Sequence, residues 1–134
     1  METLSVLTNR KRTGTNRLTK NSKIFKSVIK ALQQKKGENI VSLDLRKIHE
    51  AVADFFVICE ATSNTQVRAL ADHVEDIVKK ECSENPYKHE GRQNMQWVLI
   101  DYVNIVVHIM QPAARRFYKL EEMWSDAMLA EHKE

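Results

Sequence analysis

From Trp97 to Trp124 the chain reads WVLIDYVNIVVHIMQPAARRFYKLEEMW, and this stretch constrains the fold more than any other. Two runs rich in Val and Ile are separated by Val103-Asn104, and Pro112 introduces a helical tail. Apolar, β-branched runs of this length read as strands, and so short a spacer joins them as an antiparallel hairpin. With Val103-Asn104 as the reversal, Tyr102 faces Ile105 and the ladder runs back to Trp97 opposite Met110. Alternation then puts Val98, Ile100, Tyr102, Ile105, Val107 and Ile109 on one face, an apolar layer expected to be core. Trp97, Leu99, Asp101, Val106, His108 and Met110 make the other face. That face is too polar for a dry core and too apolar to be left to water. It is expected to lie against another surface, either a helix of the same chain or a partner.

The remaining elements follow from periodicity. Ile24, Phe25, Val28, Ile29 and Leu32 recur at helical spacing, with Gly37 as the expected left-handed stop. Lys23, Lys26 and Lys30 lie off that stripe, so the helix is amphipathic and basic, with its apolar side expected to face the core. Residues 40–45 alternate as a half-buried strand, and residues 55–59 are apolar throughout, as in a strand covered on both faces. Ser63-Asn64-Thr65-Gln66 is a capping box before Val67, Leu70, Ala71, Val74, Ile77 and Val78, the best helix in the sequence. Pro86 breaks the linker that follows, and residues 87–90 read as a weak strand. The expected order is α–β–β–α–(β)–β–β–α, an α/β fold with helices packed on a mixed sheet.

Four blocks of sequence, in order, resemble the ribosomal silencing factor family, also called Iojap-like proteins. They are LQQKKGENIVSLDLRKI, then ADFFVICEATSNTQVRALADHVED, then Glu90-Gly91, and finally WVLIDYVNIVVHIM with RRFYKLEEMW; the likeness runs from Ile24 to Ala127. The resemblance implies a mixed sheet related to the nucleotidyltransferase fold. It also implies a non-enzymatic factor that binds the large ribosomal subunit through the ribosomal protein conventionally numbered fourteen. Bound there, such a factor keeps the small subunit from joining and represses translation; a role in large-subunit maturation goes with organellar members. The chain departs from the family at the hairpin reversal, where Val103-Asn104 stands for the usual Gly-Asp, and at Ala61, which replaces a glycine.

A nucleotidyltransferase needs a Gly-Ser turn for triphosphate and paired Asp side chains for two divalent metals. None of the glycines (Gly14, Gly37, Gly91) precedes a serine, and no Asp-x-Asp occurs. The five histidines form no i, i+4 pair, and neither cysteine stands at a zinc-ligand spacing, so no metal or cofactor is expected. Asp101 and His108 fall close enough on one hairpin face for a diagonal hydrogen bond, but without a nucleophile a structural or binding role is expected.

Charge is unevenly distributed. Residues 1–36 carry +9 and the rest −6, which together give the net +3. Residues 1–21 lack periodicity and are expected to be a flexible basic arm, with 22–128 the family domain and 129–134 a polar tail. Arg10, Lys11, Arg12, Arg17 and Lys20 of the arm are the expected contacts to ribosomal RNA; a solvated leader without a partner is the bland alternative. Cys59 and Cys82 make no disulfide framework and fit a reducing compartment. With no secretory signal and no apolar run of membrane-spanning length, a bacterial cytoplasm is expected, an organelle being the alternative because the arm also reads as a transit peptide.

The expected partner-binding residues are Trp97, Leu99, Asp101, His108 and Met110 of the hairpin, with Arg116 and Tyr118 of the tail. Trp and Met are enriched at interfaces, though a Trp at a strand start is also ordinary core. Arg115 and Arg116 either join the patch or pair with Glu121 and Glu122. The sequence leaves a homodimer open. Two rival readings remain: a nucleotide-dependent enzyme with an unrecognised site, and a free-standing RNA-binding module whose footprint is the arm.

Overall fold

A computed structural model of the chain describes residues 18–20 and 22–133. Among these described residues, four helices and six strands follow in the order α1 (Lys23–Gln34), β1 (Glu38–Asp44), β2 (Phe55–Glu60), α2 (Asn64–Cys82), β3 (Lys88–Glu90), β4 (Trp97–Asp101), β5 (Ile105–Met110), α3 (Pro112–Tyr118), α4 (Leu120–Met123) and β6 (Met128–Glu131). The strands form one mixed sheet in the order β3-β4-β5-β2-β1-β6. Only β2 and β5 run parallel; every other neighbouring pair is antiparallel. The parallel pair is the consequence of α2, which carries the chain from β2 across one face before it returns through the β4–β5 hairpin.

The two sheet faces build two separate cores. Ile40, Phe55, Val57, Val98, Ile100, Ile105, Val107 and Ile109 face α1 and α2, whose Phe25, Val28, Leu32, Val67, Leu70 and Val74 close the layer. Phe25 packs edge-on against Phe55 with ring centroids 4.8 Å apart. The opposite face carries Leu43, Phe56, Ile58, Trp97, Leu99, Val106 and Met110, covered by Leu45, Ala51, Val52 and Ala53 of the β1–β2 connection and by Leu120 of α4. With both faces covered, β2 is buried from Phe55 to Cys59, as its unbroken apolar run implies.

The hairpin takes the expected register, Trp97 opposite Met110 and Leu99 opposite His108. Val103 is forced to a φ of 75° at the reversal, a conformation β-branched residues resist. The Asp101 carboxylate offsets part of that strain by accepting the Val103 N–H at 2.8 Å. Half of the capping box forms: Ser63 Oγ accepts from the Gln66 N–H, while the Gln66 side chain accepts from the N–H of Thr62 rather than from that of the N-cap Ser63. At the end of α1 it is Lys36, not Gly37, that takes the left-handed turn (φ 63°). Gly37 serves a different need: a Cβ there would stand 2.3 Å from Cys59 Sγ.

Two boundaries drawn from sequence are corrected. Residues 129–134 were expected as a polar tail, but Met128–Glu131 is the edge strand β6, paired antiparallel with β1. The segment MLAE is too short and too exposed to show an alternating pattern. The arm was expected to extend to residue 21, yet the Leu18 N–H donates to the Asp54 carboxylate at 2.8 Å and Leu18 packs on the α1–α2 core. Arg10, Lys11, Arg12 and Arg17 lie outside the described residues.

Candidate functional site

The second hairpin face is where sequence placed a partner, and here the structure corrects the expectation. Trp97, Leu99, Asp101, His108 and Met110 are at most 1% exposed. Of the two surfaces expected to cover this face, the chain itself supplies the cover. Trp97 Nε1 donates to His108 Nδ1 at 3.0 Å. An indole N–H can only donate, so the His108 proton sits on Nε2, which is buried without a partner. The diagonal bond to Asp101 that the strand register allowed does not form: His108 Nδ1 is taken by Trp97 and Nε2 has no partner. The Phe56 ring meets His108 edge-on at 4.6 Å, and Tyr118 of α3 lies 4.8 Å from Trp97 as a half-buried lid.

Burial pushes the His108 pKa down from 6.5 to about 3, so the folded protein holds a neutral ring. In the unfolded chain the same ring takes up a proton near its ordinary value. Between about pH 6.5 and about pH 3 the unfolded state therefore binds the extra proton, and stability falls as pH falls through that window. His73 and His132 are also lowered by burial and act in the same direction. Urea unfolding at pH 7.5, 6.0 and 5.0 is expected to show His108→Asn losing less stability on acidification than the parent, by up to about 1.4 kcal/mol per pH unit. Identical pH profiles would contradict the buried neutral imidazole.

Neither His108 nor Cys59 is placed for chemistry on a solvent-borne substrate. His108 has no open path to solvent, and burial pushes the Cys59 thiol up to about 12, far from thiolate at neutral pH. Among the described residues no three His, Cys, Asp or Glu side chains gather to hold a metal ion.

The surface outside this core lies at the α3–α4 corner. Pro112 opens α3, and Lys119, in the left-handed conformation, both ends α3 and precedes α4. Arg115 turns inward; its guanidinium donates to the Asn39 carbonyl at 2.8 Å and to Glu121 at 2.9 Å, and pairs with Glu60 at 3.4 Å. This clamp fixes the corner to the ends of β1 and β2. Arg115 thus takes the structural role that sequence left open, whereas Arg116 is exposed on the corner. Phe117 is 77% exposed and stands edge-on to Tyr118, the centroids 4.9 Å apart. Sequence reading passed over Phe117. The available signal was its place between Arg116 and Tyr118 in a helix whose inward positions are taken by Ala114 and Tyr118. Arg116, Phe117 and Lys119 are thus all exposed on this corner.

A family model described as ribosomal silencing factor during starvation matches residues 19–134. The chain is 38% identical over 111 residues to "Ribosomal silencing factor RsfS" of Bacillus subtilis, covering 81% of this chain and 90% of that protein. It is 34% identical over 74 residues to the mouse "Mitochondrial assembly of ribosomal large subunit protein 1", covering 54% of this chain but 32% of that protein. A crystal structure of a protein from Chromobacterium violaceum superposes with a TM-score of 0.71 at 36% identity, covering 76% of this chain and 83% of the other.

Proposed function

The chain belongs to the ribosomal silencing factor family, and from that premise we propose that it binds the large ribosomal subunit through that subunit's protein fourteen and sterically keeps the small subunit from joining. Translation is thereby repressed by occupancy alone, with no bond made or broken. The observation that supports a protein-docking role is Phe117, a large apolar ring left in solvent on a corner that Arg115 and Tyr118 hold rigid. A preorganised aromatic that shares its corner with exposed cations loses little entropy on docking, which is the usual profile of an interface anchor. The buried hairpin residues act behind it: Trp97, held by its bond to His108, is the floor on which Tyr118 sits.

Phe117→Ala is expected to weaken binding to purified ribosomal protein fourteen by about 2 kcal/mol, roughly thirty-fold in Kd. Its melting temperature should stay near that of the parent, because the ring is mostly exposed. A pull-down or calorimetric titration beside a thermal melt checks both; unchanged affinity would remove Phe117 from the interface. The basic arm, in this reading, adds salt-dependent attraction to ribosomal RNA. A role in large-subunit assembly is the second reading, favoured by the wording of the mouse relative's name.

A further inference from the structure

We propose that the solvent face of α1, joined to the root of the arm, binds the phosphate backbone of single-stranded or looped ribosomal RNA. The inference rests on the reading that the protein works on the large ribosomal subunit. Helix α1 buries Ile24, Phe25, Val28, Ile29 and Leu32 in the core, and Lys23, Lys26 and Lys30 are left exposed on the other side. At 1.5 Å of rise per residue these ammonium groups step along the helix by about 4.5 and then about 6 Å, a row rather than a scatter.

A fourth cation is brought to the same row. The bond from the Leu18 N–H to Asp54 and the turn from Ser22 N–H to the Thr19 carbonyl fix the arm's root against the start of α1. Lys20 thereby lines a shallow groove with Lys26 and Lys30, floored by Phe25 and Ile29 and bounded by His132. The groove holds about 230 Å³, below the ~300–1,000 Å³ typical of a small-molecule site. It suits one point of attachment on a longer chain.

Electrostatics favour a polyanion. Lys30 is ion-paired with Glu81, but among the described residues no ion pair joins Lys20, Lys23 or Lys26 to a carboxylate. Asp44, near Lys20, is already held by Arg46. The body beyond residue 36 is net negative, so positive potential is concentrated on this one end, continuous in sequence with the arm's Arg10, Lys11, Arg12 and Arg17. A bilayer is disfavoured as the occupant, because the apolar side of α1 is already spent in the core and cannot insert.

The test uses the full chain with the combined variant Lys20→Gln, Lys23→Gln and Lys26→Gln, and as control Lys79→Gln with Lys80→Gln on α2. Anisotropy of a fluorescent twelve-nucleotide oligouridylate is titrated between about 50 and 200 mM salt. The α1 variant is expected to flatten the slope of log K against log salt by about 2, at roughly 0.7 for each phosphate that is no longer neutralised. The control should leave the slope in place. An unchanged slope in the α1 variant, or equal flattening in the control, would overturn the proposal. So would tighter binding of the parent to phosphatidylserine vesicles than to the oligonucleotide. Pull-down on isolated ribosomal protein fourteen separates this inference from the reading beneath it, since the α1 variant should bind that protein like the parent.

Discussion

Trp97→Ala is expected to lower the unfolding free energy by about 3–5 kcal/mol, the usual cost of truncating a buried Trp. The indole is 1% exposed, packs against Tyr118 at 4.8 Å, and gives His108 its buried hydrogen bond at 3.0 Å. Truncation removes the packing and leaves a neutral imidazole with neither nitrogen satisfied, which adds to the cavity cost. Trp97→Phe restores most of the volume but not the donor, so its loss should be intermediate. Urea denaturation of the three proteins decides the matter. A Trp97→Ala variant as stable as the parent would mean that Trp97 is not core.

Trp97 also shows where sequence reading succeeds and stops. The rung on which it sits, its face and its neighbour Met110 were all legible, because strand alternation and a two-residue reversal leave one register. What covers that face was not legible. Periodicity reports which residues need shelter, and it is silent on whether shelter comes from the same chain or another. Here the cover comes from the irregular β1–β2 connection (Leu45, Ala51, Val52, Ala53) and from α4, segments with no periodic signal. Strand β6 was missed for a related reason: its pairing with β1 is held by the backbone, and Met128 and Leu129 remain half exposed or more. The helix stop shows a third limit. Gly37 was noticed for φ, but its requirement is the space beside Cys59, which only tertiary packing creates. Gly91, by contrast, meets both demands, with φ at 90° and a would-be Cβ 1.9 Å from the Trp97 carbonyl oxygen. The Glu90-Gly91 block of the resemblance therefore has a physical cause: the chain leaving β3 turns tightly over the start of β4.

The α3–α4 corner was half legible. Arg116 and Tyr118 were singled out, but Tyr118 serves as the lid on Trp97 and the exposed aromatic is Phe117. Adjacent aromatics in a helix point about 100° apart, so only knowledge of which one meets the core separates anchor from lid.

The largest functional effect is expected in subunit joining, and it is also the most direct test of the central claim. Purified large and small ribosomal subunits are mixed at a magnesium concentration that favours joining, with the protein at saturating excess, and resolved on a sucrose gradient. The account predicts that the protein travels with the large subunit and that the joined peak is reduced at least about tenfold, the effect of occupancy at ten times Kd or more. Phe117→Ala should restore most of that peak while folding normally. A full joined peak at saturating protein, or co-migration with the small subunit instead, would contradict the account.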